Sequence, residues 1–458
     1  MSTQAKKKLP KNRVLRLLYP MLPHQRTVKR LRFSRFLRIL GPGIVTGAAD
    51  DDPSGIATYS QTGAQFGFGQ LWTSLYQIPL LIAVQEAVAR IGAVTGKGLA
   101  GIVKENYSRK VLVFIVTLVV IANTLNIGAD IGAVASAIQL VAPVPFYIGC
   151  IVVALLIASF EVFINYKQYA KFLKWLSLAL LAYPVTALLI HEPWGQIVHA
   201  TLVPHITFDF NFLFIITGVF GTTISPYMFF WQSSGEVEEE ISKHILPQKG
   251  GTPRLTKKFM RDMRIDTVFG MIAAELGQWF IIITAATVLF AHGITNIDSA
   301  ADAAKALEPL VQSFPNAGYL AKVIFAVGII GLGMLGIPVL AGSAAYALSE
   351  AMGWKEGLYR KFTNAKGFYG VIIAATFVGL LINFLDINPM KALVYTAVFN
   401  GVTAVPLLFF IARINSNKEI LGDYRGKFVS RALLWVTFVI MALGAILMFV
   451  TLFTGQGA

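Results

Sequence analysis

The chain has 458 residues, 55% of them hydrophobic and only 14% charged, and carries a formal net charge of +15. A soluble globular domain carries roughly 25% charged residues, so this composition excludes intrinsic disorder and argues against a large soluble enzyme. A single cysteine, Cys150, rules out an intramolecular disulfide and any cysteine-based metal cluster; it reads as a small buried apolar residue.

In chain order the apolar residues gather into eleven runs, Ile39–Phe66, Leu71–Ile91, Val111–Val134, Pro145–Phe163, Phe172–Ile190, Phe212–Ser233, Asp266–Phe290, Leu320–Leu348, Gly367–Leu385, Ala392–Ile414 and Ala432–Phe453. Runs of about 20 apolar residues cross a bilayer as helices. The expected fold class is therefore an all-α membrane protein with eleven transmembrane helices. Ahead of the first run, Met1–Arg38 holds twelve positive charges and no acid. That stretch could be a nucleic-acid arm, but a topogenic arm resting on anionic lipid is the simpler reading. It shows no short apolar stretch with a small-residue cleavage site, so no signal peptide is expected. The charged segment Gly235–Arg264 reads as a solvated cytoplasmic connector, with a short amphipathic helix around Val237–His244 as the alternative. His191, His199 and His205 share the connector before the sixth run, and Asp298, Asp302 and Glu308 lie in His292–Pro315; both read as solvated loops.

Topology follows from the basic residues. With the N-terminus inside and eleven helices alternating, 36 of the 39 Lys and Arg fall inside, and only Lys305, Lys322 and Lys391 fall outside. Positive residues favour the cytoplasmic side, so a cytoplasmic N-terminus and an extracellular C-terminus are expected. Most tryptophans, such as Trp72 and Trp435, fall near span ends, as interfacial anchors do; Trp231 does not.

The chemistry concentrates in two runs. The first contains Asp50-Asp51-Asp52-Pro53-Ser54-Gly55. Carboxylates inside a membrane helix are costly and usually face a cavity or ion path. Pro53 and Gly55 oppose a continuous helix, so Asp52–Gly55 is expected to be an unwound step. Such backbone is tolerated only where it is buried in protein or lines a water-filled cavity. Its free carbonyls beside a carboxylate suit a hard cation. The sixth run repeats the device in Thr222-Thr-Ile-Ser225-Pro226-Tyr227-Met228. Both breaks fall in the first helix of a group of five, the expected sign of inverted repeats meeting at a midplane binding site.

Gly41-Pro-Gly, Asp52-Pro53, Gly63-Ala-Gln-Phe-Gly67 and Leu71-Trp72 resemble the first two helices of the Nramp metal transporters. The sixth run resembles that family's Met-Pro-His helix. The resemblance spans most of the chain and implies a LeuT-like inverted repeat of five plus five helices with one additional helix. It divides the chain into a basic arm 1–38, a first repeat 39–190, an extracellular loop 191–211, a second repeat 212–414, and an eleventh helix with the extracellular C-terminus, 415–458. The departures are as telling. Where the family reads Asp-Pro-Gly-Asn, this chain keeps Asp52 and places Gly55 at the Asn ligand. The Met ligand falls on Ser225 and the carbonyl ligand three residues earlier on Thr222. The family's two sixth-helix histidines fall on Tyr227 and Gln232. Its third-helix acidic pair is represented only by Asp130, one position out of register, with Asn123 and Asn126 nearby. This pattern resembles the divergent Nramp-related magnesium transporters.

A thioether favours soft, late transition metals, so its loss removes the bias against abundant hard ions. Mg²⁺ takes oxygen ligands and keeps several waters; a wider site of Asp52, Gly55, Thr222 and Ser225 suits it, and Mn²⁺ as well. Asp50, Asp51, Tyr227, Gln232, Asp130 and Asn400 are secondary candidates along the pathway. Met228 reads as packing, and Glu86, Glu161 and Glu275 as structural polar contacts. The expected function is import of divalent cations, Mg²⁺ foremost, by alternating access and without proton coupling, in a bacterial plasma membrane. The alternatives are a proton-coupled Mn²⁺/Fe²⁺ carrier and a non-transporting Nramp-like signalling scaffold. No nucleophile–base pair or Gly-rich phosphate loop suggests an enzyme. No cofactor, nucleic acid or protein partner is implied beyond the ion and the bilayer.

Overall fold

The computed structural model describes residues 41–163, 181–190, 192–246, 251 and 253–454. The basic arm, the first nine residues of the fifth apolar run and His191 lie outside the described residues. The first run forms two helices, α1 (Pro42–Asp50) and α2 (Pro53–Phe66). They are followed by α3 (Trp72–Thr95), α4 (Leu99–Asn106), α5 (Arg109–Val141) and α6 (Phe146–Phe163). The fifth run is represented by α7 (Ala182–Leu189), and α8 (Trp194–Leu202) lies in the connector. The sixth run is again split, into α9 (Phe210–Thr223) and α10 (Pro226–Ser242). Then come α11 (Lys257–Val288), short α12 (Ala300–Lys305) and α13 (Glu308–Val311), α14 (Ala317–Met352), α15 (Lys366–Ile382), α16 (Pro389–Ser416), α17 (Lys418–Leu421) and α18 (Phe428–Thr454). Among the described residues there is no strand, and eight helical stretches are long and apolar enough to cross a membrane.

Both breaks form in the same way. Proline has no N–H to give and its fixed φ suits the first helical position. Pro53 and Pro226 each open the second half of a split span, with Asp52 and Ser225 as the capping residues before them. The first break therefore falls at Asp51–Asp52, not across Asp52–Gly55 as expected. Pro53, Ser54 and Gly55 are already the first turn of α2. The segment from Gly235, read as a solvated connector, begins inside a helix: α10 runs unbroken through Val237 to Ser242, so the alternative helix around Val237–His244 is its last turns and not a separate element.

The helices pack as two groups. α1, α2, α3, α9, α10 and α11 contact one another extensively, α11 lying along α1 and α2. α5, α6, α14 and α15 form the other group, with α14 against α5 as its main contact. α16 bridges α9 and α5, and α18 packs on α16 and α9. Helix ends between elements are capped by acids. Asp266 of α11 accepts hydrogen bonds from the backbone N–H of Gly43 (2.7 Å) and Ile44 (3.2 Å) at the start of α1. Glu350 of α14 accepts from Gly98 (2.9 Å) and Gly101 (2.8 Å) at the start of α4. Those N–H groups have no partner within their own helices.

Candidate metal-ion site

The two breaks lie side by side. The Tyr227 hydroxyl, on the first turn of α10, donates to the carbonyl of Ala49 at the end of α1 (2.7 Å) and lies 3.5 Å from Asp52 Oδ2. Asp52 is fully buried. Its Oδ1 accepts from the Ser54 hydroxyl (2.6 Å) and the Gly55 N–H (2.9 Å), which fixes the carboxylate over the start of α2. Oδ2 has only long contacts, the other being the Asn126 amide of α5 at 3.4 Å. One oxygen thus orients the group, while the other is held only by these two long hydrogen bonds.

From the second break, Thr222 reaches the same point. Its hydroxyl lies 3.4 Å from that of Ser54. A Cβ on Gly55 would lie 3.4 Å from Thr222 Oγ1 and only 2.9 Å from the Asp50 carbonyl oxygen, so a side chain there would crowd both breaks. Ser225 caps α10 without using its side chain; its hydroxyl is buried and has no hydrogen-bond partner. α1 and α9 both end here, and carbonyls at helix C-termini carry partial negative charge that favours cations. Asp52, Ser54, Gly55 and Thr222 are thus brought together, and Ser225 lies three residues beyond Thr222 at the second break.

Asp130 on α5 approaches from the other helix group. A Cβ on Gly336 of α14 would lie 3.0 Å from Asp52 Cβ and 3.7 Å from Asp130 Oδ2, so the two carboxylates flank Gly336. Both Asp130 oxygens and the Asn126 Oδ1 are buried without partners. Gln232 is engaged instead by the Thr46 hydroxyl (2.5 Å) and by Glu236 (2.9 Å), one turn beyond the site. Asn400 is buried on α16, and no hydrogen bond among the described residues joins it to Asp52. Met228 is packed in the apolar core. Glu86 makes the structural contact expected of it, pairing with Arg90 at 2.6 Å and with Arg264. Glu275 does not: both of its carboxylate oxygens are buried and unpartnered. Ser54 and Asn126 were not among the candidate ligands. Ser54 could have been found from its place two residues after a capping Asp, where a hydroxyl folds back onto the cap; Asn126 had no such signal.

Among the described residues no three acidic, histidine or cysteine side chains form a metal-binding cluster. The set here is one carboxylate, two hydroxyls and backbone oxygens, with Asp130 and Asn126 in reach. It can hold a cation that brings its own water.

Split first and sixth helices, paired at a polar buried centre between two helix groups, define a secondary transporter. A family model described as natural resistance-associated macrophage protein-like (Nramp) matches residues 43–451. The divalent metal cation transporter MntH of Klebsiella pneumoniae (strain 342) is 26% identical over 416 residues, covering 88% of this chain and 92% of its own length. The manganese transporter of Eremococcus coleocola, solved in complex with an aromatic bis-isothiourea substituted compound, shares the fold with a TM-score of 0.73 at 14% identity, covering 95% of this chain and 88% of that one. MhsT in complex with L-phenylalanine superposes with a TM-score of 0.55 at 12% identity, over 89% of this chain and 98% of its own. The chain belongs to the Nramp family. It is a multi-pass membrane transporter with the LeuT-like inverted-repeat fold, not an enzyme.

Proposed function

We propose that the protein carries divalent metal cations, Mg²⁺ foremost and Mn²⁺ second, by alternating access at the paired breaks. The relatives named above, a divalent metal cation transporter and a manganese transporter, support the cation class. The observation that carries the Mg²⁺ assignment is the free, buried hydroxyl of Ser225 at the cap of α10, with no thioether or imidazole in the set. Hard oxygens with room for water favour Mg²⁺, which binds through one or two carboxylates and keeps most of its hydration shell. Asp52, Gly55, Thr222 and Ser225 form the site; Asp50, Asp51, Asp130 and Tyr227 line or order its approaches, and Gln232 and Asn400 stand further out.

The repeats are assigned to residues 39–190 and 212–414, linked by a loop over 191–211, with 1–38 as a basic arm and 415–458 holding the eleventh helix. The bias of Lys and Arg supports a cytoplasmic N-terminus and an extracellular C-terminus, and the bacterial MntH relatives support a bacterial plasma membrane. Transport is uncoupled from protons, because Tyr227 is committed to the Ala49 carbonyl and Gln232 to Thr46 and Glu236, and neither side chain titrates near neutrality. A proton-coupled carrier is the second reading, favoured by the unpartnered carboxylate of Asp130. Uptake into proteoliposomes with Mg²⁺, Mn²⁺ and Ca²⁺ in parallel tests the substrate. Saturable Mg²⁺ uptake that Asp52→Ala removes is expected; uptake of Mn²⁺ alone would overturn the assignment.

A further inference from the structure

Three polar side chains of α5 recur at helical spacing: Asn123, Asn126 and Asp130. At about 100° per residue they fall within an arc of roughly 60° on one face of the helix. None is more than 1% exposed. Both amides have their donors engaged. Asn126 donates to Asp52 Oδ2 (3.4 Å), and Asn123 donates to the Leu340 carbonyl of α14 (2.9 Å). An amide meets a carboxylate through its NH₂, so the Asn126 oxygen is the end left over. What remains along this face is acceptors. Asn123 Oδ1, Asn126 Oδ1 and both oxygens of Asp130 are buried without a hydrogen-bond partner. The row spans about 10 Å along the helix axis at 1.5 Å per residue, and its middle member is the one that touches Asp52. Gly336 of α14 keeps the adjoining space free of a side chain. A Cβ there would lie 3.0 Å from Asp52 Cβ and 3.7 Å from Asp130 Oδ2.

Buried acceptors without donors are costly. Protonating Asp130 would relieve only Asp130, because the two amide oxygens stay acceptors at any physiological pH. A hydrated cation is the complementary object. Its water molecules turn their oxygens to the metal and their hydrogens outward, so its surface carries donors only. Asp52 reaches the same point with a carboxylate for the charge.

We propose that Asn126, flanked by Asn123 and Asp130, reads the water shell of the transported ion, so that α5 supplies outer-sphere acceptors selecting a cation that keeps its water. This rests on the reading of the protein as a carrier of hard divalent cations at Asp52, and adds residues that set its specificity. Mg²⁺ dehydrates reluctantly. Losing these acceptors therefore costs Mg²⁺ more than Mn²⁺.

Uptake into proteoliposomes of the full-length protein, with hexaamminecobalt(III) as competitor, tests this. That complex exchanges no ligand during the assay and presents N–H donors only, so it competes only through outer-sphere contacts. It should inhibit wild-type Mg²⁺ uptake. Asn126→Leu, which removes the acceptor at similar volume, should weaken that inhibition and raise the KM for Mg²⁺ by about tenfold each, the loss expected for a hydrogen bond to a charged group. The KM for Mn²⁺ should change less. An Asn126 that merely holds Asp52 in place would shift both ions alike and leave the inhibition unchanged, which overturns the proposal. Asn123→Leu touches no bond of Asp52 and should weaken the inhibition in the same direction; it carries the test should Asn126→Leu fail to fold. Mg²⁺ uptake indifferent to the complex refutes the acceptor row and leaves the Mg²⁺ reading standing. A wild type that carries Mn²⁺ alone fails that reading, while block of its Mn²⁺ uptake by the complex, lost in Asn126→Leu, would still support the row.

Discussion

Asp52 is held by Ser54 and Gly55 through one oxygen, and the other has only long hydrogen bonds from Asn126 and Tyr227. A hydrogen bond or contact to a charged group contributes about 1.5–3 kcal/mol, so Asp52→Ala should lower ion affinity by roughly 10- to 100-fold or more, with the purified protein still monodisperse and its melting temperature largely kept. Uptake within twofold of wild type would remove Asp52 from the site. Selectivity is a separate matter, at Ser225. Restoring the family's pair of ligands would combine Gly55→Asn with Ser225→Met, but a Cβ on Gly55 meets the Asp50 carbonyl at 2.9 Å and the Tyr59 ring at 3.3 Å. The clean test is Ser225→Met alone, because the wild-type hydroxyl has no partner to lose. A thioether there adds a soft ligand. Competition assays should show Mn²⁺ gaining on Mg²⁺ by about tenfold, the worth of roughly 1.4 kcal/mol. An unchanged ratio would mean that the residue at this position does not set the preference.

At the scale of elements, α1 depends on a residue 223 positions away in sequence: Asp266 binds the N–H groups of Gly43 and Ile44. Losing a cap of this kind costs on the order of 1–2 kcal/mol. Asp266→Ala should therefore lower the melting temperature and loosen α1, so that a cysteine placed at Thr46 reacts faster with a maleimide. Equal labelling rates in the two backgrounds would show that α1 is held by packing alone. The split spans were legible from Pro53 and Pro226 only together with the acidic, hydroxyl and small residues beside them, since Pro79, Pro338 and Pro406 lie inside continuous helices. Their registers were less so. Proline is equally content in an unwound segment and at a first helical position, and only the capping geometry of Asp52 separates the two. The approach of Asp51 to Gly277 was beyond reach, since it is made by packing between elements more than 220 residues apart and leaves no periodic or local mark. Glu275 read as an ordinary polar contact for the same reason. The continuation of α10 through Val237 was obscured by the change from apolar to acidic residues at Glu236, which marks where the helix leaves the apolar run and not where it ends.

For the whole molecule the open question is what drives the ion. A proton-coupled cycle needs a group that changes charge as the ion passes, and histidine is the side chain whose ordinary pKa of about 6.5 suits it. Here the two positions at which the family places histidine are Tyr227 and Gln232, and each is engaged in a hydrogen bond that spans the two split helices. Moving one charge across 100 mV is worth about 2.3 kcal/mol, so a divalent ion gains about twice that. Since each 1.4 kcal/mol is a factor of ten, a potential of 100 mV, negative inside, would hold Mg²⁺ at roughly a thousandfold gradient or more without any proton. The potential alone is therefore sufficient to drive such an ion. In liposomes with a potassium-diffusion potential, Mg²⁺ uptake should rise with the imposed potential and be insensitive to collapse of the pH gradient. A pH-sensitive dye trapped inside should stay constant during uptake. Internal acidification that scales with Mg²⁺ entry, survives correction for proton leak and disappears in Asp130→Asn would assign the proton to α5 and replace the uncoupled cycle with a coupled one.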